Sequence, residues 1–244
     1  MLNQVRQLSS PPAFFAFARA AARWLGLLSV PLLAYGLLGG LVLAPPDYQQ
    51  GDAFRIIYVH VPSAWMSLFG YSVMAVFSLI ALVWRVKVAE CVLLACAPVG
   101  ASFTALALLT GMLWGKPMWG TYWLWQDARL VSELILLFLY LGIVSLHQAI
   151  ADPRAAARAC ALLALVGSVN VPIVHYSVEW WNTLHQTATV ARLGKPTMAA
   201  SMLWPLLSMA LGFTLFSAAV VLHRARNMLW WRERGNPWTR SVIP

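Results

Sequence analysis

Charge is what this sequence has least of. Only 10% of its 244 residues are Asp, Glu, Lys or Arg, and just 8 of these are acidic. Soluble domains carry about 25% charged residues and roughly 45–50% apolar ones, whereas 61% of this chain is hydrophobic. That excludes a water-soluble globular domain. It also excludes intrinsic disorder, which needs low hydrophobicity and high net charge. Cysteine is equally scarce. Cys91, Cys96 and Cys160 lie in or beside apolar runs without C-x-x-C spacing, so no disulfide framework is expected and the three read as small buried hydrophobes. No G-x-x-x-x-G-K-[ST] loop occurs, which excludes ATP hydrolysis by phosphate-loop chemistry on this chain. Period-2 alternation is absent as well, which argues against a membrane barrel.

What the chain does have is long apolar runs. A hydrocarbon core about 30 Å thick needs roughly 20 apolar residues of helix. Six runs meet that requirement: Trp24–Ala44, Pro62–Trp84, Cys91–Leu113, Val131–Ala149, Ala159–Ile173 and Leu203–His223. The fifth is short unless it extends toward Tyr176, and it contains Asn170 and Pro172. The expected fold is all-α, a single polytopic membrane domain over residues 1–244 with six transmembrane helices. The first run is too long and too far into the chain for a cleaved signal. The segment Ser9–Arg23, with Phe14, Phe15, Phe17, Arg19 and Arg23, predicts a short interfacial helix.

The net charge of +9 records orientation. Arg55, Lys116, Arg129, Arg192 and Lys195 fall on one side of this map, and the rest of the 17 cations fall on the other. The positive-inside rule then places both termini in the cytoplasm. The loops at residues 45–61, 114–130 and 176–202 face outward. Nucleic acid is not needed to explain the cations.

The outward side collects most of the 13 Trp: Trp65, Trp114, Trp119, Trp123, Trp125, Trp180, Trp181 and Trp204. An aromatic belt at headgroup level accounts for Trp24, Trp65, Trp84, Trp204 and the Trp230–Trp231 pair. It does not account for residues 114–125, which hold four Trp and one Tyr with Gly115, Pro117 and Gly120 between them. Such rings suit a flat, apolar, polarizable ligand, and Lys116 and Arg129 suit anionic groups at its edge. Arg55 either reaches such a group or pairs with Asp52. Glu133 opens the fourth run, where the helix dipole favours an acid. His60, His175 and His185 share this side. Imidazole is a natural axial ligand for haem iron, so His60 and His185 pair with the Trp cluster as a candidate haem site. His175 is a third candidate closer to the apolar run, and His147 and His223 lie at the opposite ends.

The motif Trp119-Gly-Thr-Tyr-Trp-Leu-Trp-Gln-Asp-Ala-Arg-Leu130 resembles the tryptophan-rich signature of haem-handling proteins in cytochrome c maturation. Together with residues 44–51, 55–62, 114–119 and 175–186 it is similar to the family of cytochrome c maturation protein C, or haem exporter protein C, over about Asp47 to Gln186. The resemblance implies six transmembrane helices in the bacterial inner membrane with a periplasmic Trp-rich loop. It implies His60 and His185 as axial ligands of a haem b held transiently and without covalent attachment. It also implies presentation of that haem to a periplasmic chaperone, cytochrome c maturation protein E, beside maturation proteins A, B and D. The chain is then a haem-binding and haem-transfer protein rather than an enzyme. One feature departs from the family pattern: Gln126 stands between Trp125 and Asp127, where the signature has Asp directly after Trp. In a helix that residue turns Asp127 and Arg129 by about 100° from the Trp set; an irregular loop absorbs it. Two other classes compete. A membrane cytochrome b needs histidines deep in the bilayer. A permease carrying haem across needs polar groups near the midplane, where these runs offer mostly Ser, Thr and Gly.

Overall fold

The computed structural model describes residues 9–181, 183–185 and 198–241. Gln186, Arg192 and Lys195, all named above, lie outside them, as do Arg6 and Asn182. The described residues are helical, with no strand beyond an isolated bridge between Asp47 and Gly51.

Six spans are long and apolar enough to cross a bilayer. The first is α1, Pro11–Leu37, which continues as a π-helical stretch, Leu38–Leu43. Proline at its first turn costs no hydrogen bond there. The segment expected to form a separate interfacial helix is the beginning of α1 instead. Phe14 and Ala18 are buried in the core, and that packing joins the segment to the span. A 3-10 turn, Asp52–Ile56, leads into α2, Ile57–Trp84. Helix α3, Lys87–Trp119, stops where Gly120 adopts φ +75, a conformation open to glycine and strained for other residues. Helix α4, Ala128–Ala149, begins under the Asp127 side chain. The fifth span is two helices, α5 (Pro153–Gly167) and α6 (Asn170–Trp180). Asn170 donates from Nδ2 to the Ser132 carbonyl at 2.9 Å, which satisfies its buried amide at the break. Helix α7, Ala200–Glu233, is followed by the short α8, Pro237–Arg240.

Helix α3 is the centre of the bundle. In its apolar window 67% of residues are buried, against 22% for α1. Helices α2, α4 and α7 pack around it, and α1 lies along α7. Small residues allow close approach: a Cβ on Gly100 would collide with the Tyr140 ring. That ring donates its hydroxyl to the Ser67 carbonyl at 2.7 Å and meets Tyr71 edge-on at 5.0 Å. At the end bearing residues 9 and 241, Lys87–Glu233 and Arg232–Glu90 ion pairs, each 2.6 Å, tie α3 to α7. Trp24, Trp84, Trp204 and Trp231 are exposed on the perimeter.

Two features of the interior bear on function. The hydroxyls of Ser63, Ser78, Thr104, Thr214 and Ser217 donate to carbonyls four residues back on their own helices. Their donor hydrogens are engaged within their own helices. A groove of about 1100 Å³ runs between α1, α2, α3 and α7, lined by groups such as Phe69, Phe77, Val92, Phe103 and Val221. Among the described residues, neither a histidine nor a charged group lines it.

Candidate functional site

The site lies at the end opposite the termini, where the first turns of α2, the last turns of α3 and the first turns of α4 converge with residues 183–185. His60 is on α2. Its Nδ1 lies 3.0 Å from the Ala107 carbonyl and 3.0 Å from Thr110 Oγ1, both on α3. A carbonyl only accepts. The Thr110 hydroxyl already donates to the Leu106 carbonyl at 2.6 Å. The partners therefore assign the proton to Nδ1 and leave Nε2 with a free lone pair. Gly111 makes this seat possible, since a Cβ there would stand 3.0 Å from His60 Cε1. The Trp114 ring closes the other side edge-on, at 5.6 Å and 76°. Phe54 backs Trp114 at 6.0 Å, and Gln50 Oε1 accepts its indole N–H at 2.9 Å.

His185 sits in the connection between α6 and α7 with its side chain 15% exposed. Trp119 meets it edge-on at 5.0 Å and 62°. Its Nδ1 lies 3.6 Å from Asp127 Oδ2, ion-pair range but long for a hydrogen bond. Asp127 is the N-cap of α4. Its Oδ1 accepts from the Arg129 and Leu130 N–H groups at 3.0 Å each, and its Oδ2 accepts from the Leu184 N–H at 2.9 Å. Burial alone would raise the Asp127 pKa. The His185 ring and the Leu184 and Leu130 N–H groups outweigh it and hold the carboxyl at about 2, so it stays ionised at neutral pH.

His60 and His185 line one small cavity with Gly111, Arg129 and Glu133. Its volume is about 30 Å³, the share of roughly one water molecule in the liquid. Glu133 lies four residues after Arg129, on the same face of α4. Its Oε1, His185 Nδ1, Trp123 Nε1 and Thr183 Oγ1 are buried with no hydrogen-bond partner among the described residues, as are polar atoms away from the cavity on Tyr71, His147 and Trp238.

The other residues expected at the site are placed less uniformly. Trp114 and Trp119 are on the last turns of α3 rather than in a loop, and each braces one histidine. Trp123 and Trp125 pair with each other at 5.3 Å and 72°, and Trp125 is 70% exposed. The four indoles thus form separate edge-on contacts, not one flat surface. Lys116 donates to the Gly120 carbonyl at 3.1 Å and lies 5.2 Å from the Tyr122 ring centre. Arg55 takes the second of its two expected roles. Its Nε is 2.8 Å from Asp52 Oδ1, and its Nη1 reaches the Gly40 and Leu41 carbonyls. Arg129 is at the cavity, with Nη1 3.5 Å from the Val174 carbonyl. Gln126 falls in a turn between Trp125 and Asp127, where the Asp127 N–H donates to the Leu124 carbonyl at 3.2 Å. The irregular backbone absorbs the extra residue, so Asp127 and Arg129 are not rotated away. His175 is exposed on α6 against Tyr176, and it does not line the cavity.

Sequence reasoning missed the supporting groups. Ala107, Thr110 and Gly111 carry no chemical signature, and Gln50 is remote in sequence from the indole it holds. Glu133 had a legible signal, its i, i+4 spacing from Arg129.

Comparison with known proteins matches the sequence to a family. A family profile described as "Heme exporter protein C" matches residues 4–240. The protein of that name from Escherichia coli (strain K12) is 47% identical over 244 residues, covering 100% of this chain and 98% of its own length. Its counterpart from Bradyrhizobium diazoefficiens is 52% identical over 220 residues, 90% of this chain and 83% of its own. The Haemophilus influenzae protein is 48% identical over 215 residues, 88% of this chain and 87% of its own.

Proposed function

The chain belongs to the Heme exporter protein C family, and from that premise we propose that it holds haem b between His60 and His185 and presents it to a periplasmic haem chaperone. Membership gives it a part in haem handling for cytochrome c maturation, as a multi-pass membrane protein. The observation that carries the finer reading is the shared cavity. Two imidazoles from α2 and the α6–α7 connection, distant in sequence, face the same small space beside the half-buried Arg129.

The donor set fits the cargo. His60 has an unprotonated Nε2 aimed away from its two acceptors, the state an iron ligand requires. Bound haem brings an iron that accepts two axial imidazoles and a porphyrin whose vinyl edge can be attacked by a nucleophile on the chaperone. Ligand pockets run to roughly 300–1,000 Å³, so the cavity of about 30 Å³ opens when haem enters. His60 is clamped between two helices, whereas His185 is on a connection; the His185 side is the one that moves. Arg129 at the cavity supplies positive charge for a propionate. The distribution of Lys and Arg supports a periplasmic position for this end, with the chain in a bacterial inner membrane. Partners under this reading are haem, cytochrome c maturation proteins E, A, B and D, and the bilayer itself; attachment of haem to the chaperone uses a nucleophile supplied by the chaperone.

A haem-transfer assay tests the proposal. With the full chain in membranes, the His60→Ala/His185→Ala pair should abolish loading of haem onto the chaperone while the protein still accumulates. Loading at the unsubstituted level would refute it.

A further inference from the structure

The surroundings of His185 assign a second role at this site, and we infer that Asp127 is a positioning residue: its carboxylate engages the Nδ1–H of His185 and leaves Nε2 free for iron. The inference rests on His185 being an iron ligand.

Three observations point to it. Asp127 is 1% exposed and surrounded by donors. Its Oδ1 is filled by the Arg129 and Leu130 N–H groups, so Oδ2 is what remains for the connection. That oxygen holds the backbone N–H of Leu184 at 2.9 Å and faces the His185 ring at 3.6 Å. One carboxylate therefore anchors both the peptide beside the ligand and the ligand's own ring. An ionised carboxylate is acceptor-only. The ring atom facing it, Nδ1, has no other partner in the described structure, and a protonated Nδ1 satisfies both groups. Metal-bound histidines are oriented in this way, by a carboxylate or carbonyl on the nitrogen that does not bind metal. His60 has the same arrangement with the Ala107 carbonyl and Thr110 Oγ1 in place of the carboxylate. Contact with a haem propionate is the poorer role for Asp127, since both groups are anionic and Asp127 is enclosed.

Asn and Ser cap helices about as well as Asp, so Asp127→Asn and Asp127→Ser retain the start of α4 and remove the charge. The experiment uses the full-length chain in detergent, labelled with 15N at histidine and free of haem. Long-range nitrogen–proton spectra report which nitrogen of His185 carries the proton. Ferric haem is then titrated into the same samples. In the unsubstituted protein His185 should be protonated at Nδ1. In both variants the proton should shift toward Nε2, haem affinity should fall about 10–100-fold, and the His60 signals should stay in place. An unchanged His185 tautomer in both variants, with haem affinity within about twofold, overturns the inference. His185→Ala separates this from the underlying reading. If His185→Ala loses haem while the Asp127 variants behave as the unsubstituted chain, the positioning role alone fails; if His185→Ala keeps haem with the same spectrum, the ligand assignment fails and the positioning role with it.

Discussion

His60 and His185 face one cavity from unlike supports. His60 projects from a helix into a second helix, with two acceptors at 3.0 Å and a glycine that leaves no slack. His185 projects from a connection, with one carboxylate at 3.6 Å and one indole edge. The first support is rigid and neutral; the second is looser and anionic. A protein that must receive a ligand and later release it benefits from this division, because release needs one coordinating group to leave while the other keeps hold. Very tight retention on both sides would slow the hand-off.

Substitutions on each side can break or sharpen the contrast. The largest effect is expected at Gly111. A Leu there forces a branched side chain against His60 Cε1, displaces the ring, and should lower haem occupancy of the purified chain at least tenfold. Normal occupancy would mean that the His60 seat is not rigid. Next comes Trp119→Ala. Edge-on aromatic pairs contribute about 0.5–1.5 kcal/mol, so haem dissociation should speed up about two- to tenfold, measured by transfer to an apo-globin trap. Trp114→Ala should act less, because the α3 acceptors still hold His60. The reverse ranking would invert the account. Thr110→Val removes one of two acceptors from His60 Nδ1 and leaves the Ala107 carbonyl. Its effect on haem affinity should stay within about threefold, and a larger loss would show that the hydroxyl is the main anchor. The smallest effect is expected at Arg55. Its guanidinium is committed to Asp52 and to two carbonyls, so Arg55→Ala should leave haem affinity unchanged in equilibrium titration; a clear loss would return it to the ligand.

The contrast also explains what could be read from the chain. Six spans followed from hydropathy, because a bilayer imposes length and apolarity residue by residue. The beginnings and ends did not follow as well. Phe14 and Ala18 carry α1 into a region that looked interfacial, and helical backbone persists past Pro117 to Trp119, ending at Gly120. The fifth span reached Trp180 only through a break at residues 168–169, which Asn170 bridges by a contact to α4. At the site, the histidines, the tryptophans and Asp127 announced themselves by residue type. Their partners did not. The carbonyl of Ala107 and the missing side chain of Gly111 are backbone features, which tertiary packing selects and composition does not display. The Trp cluster makes separate edge-on contacts, two of them to the histidines, a distinction of orientation that spacing cannot encode.

The central claim is that His60 and His185 are the two axial groups. Its most direct measurement is the absorption spectrum of haem bound to the purified full-length chain and to the His60→Ala and His185→Ala variants. A six-coordinate bis-imidazole spectrum is expected for the unsubstituted protein, and its loss in each variant. Full retention of that spectrum in both single variants would contradict it.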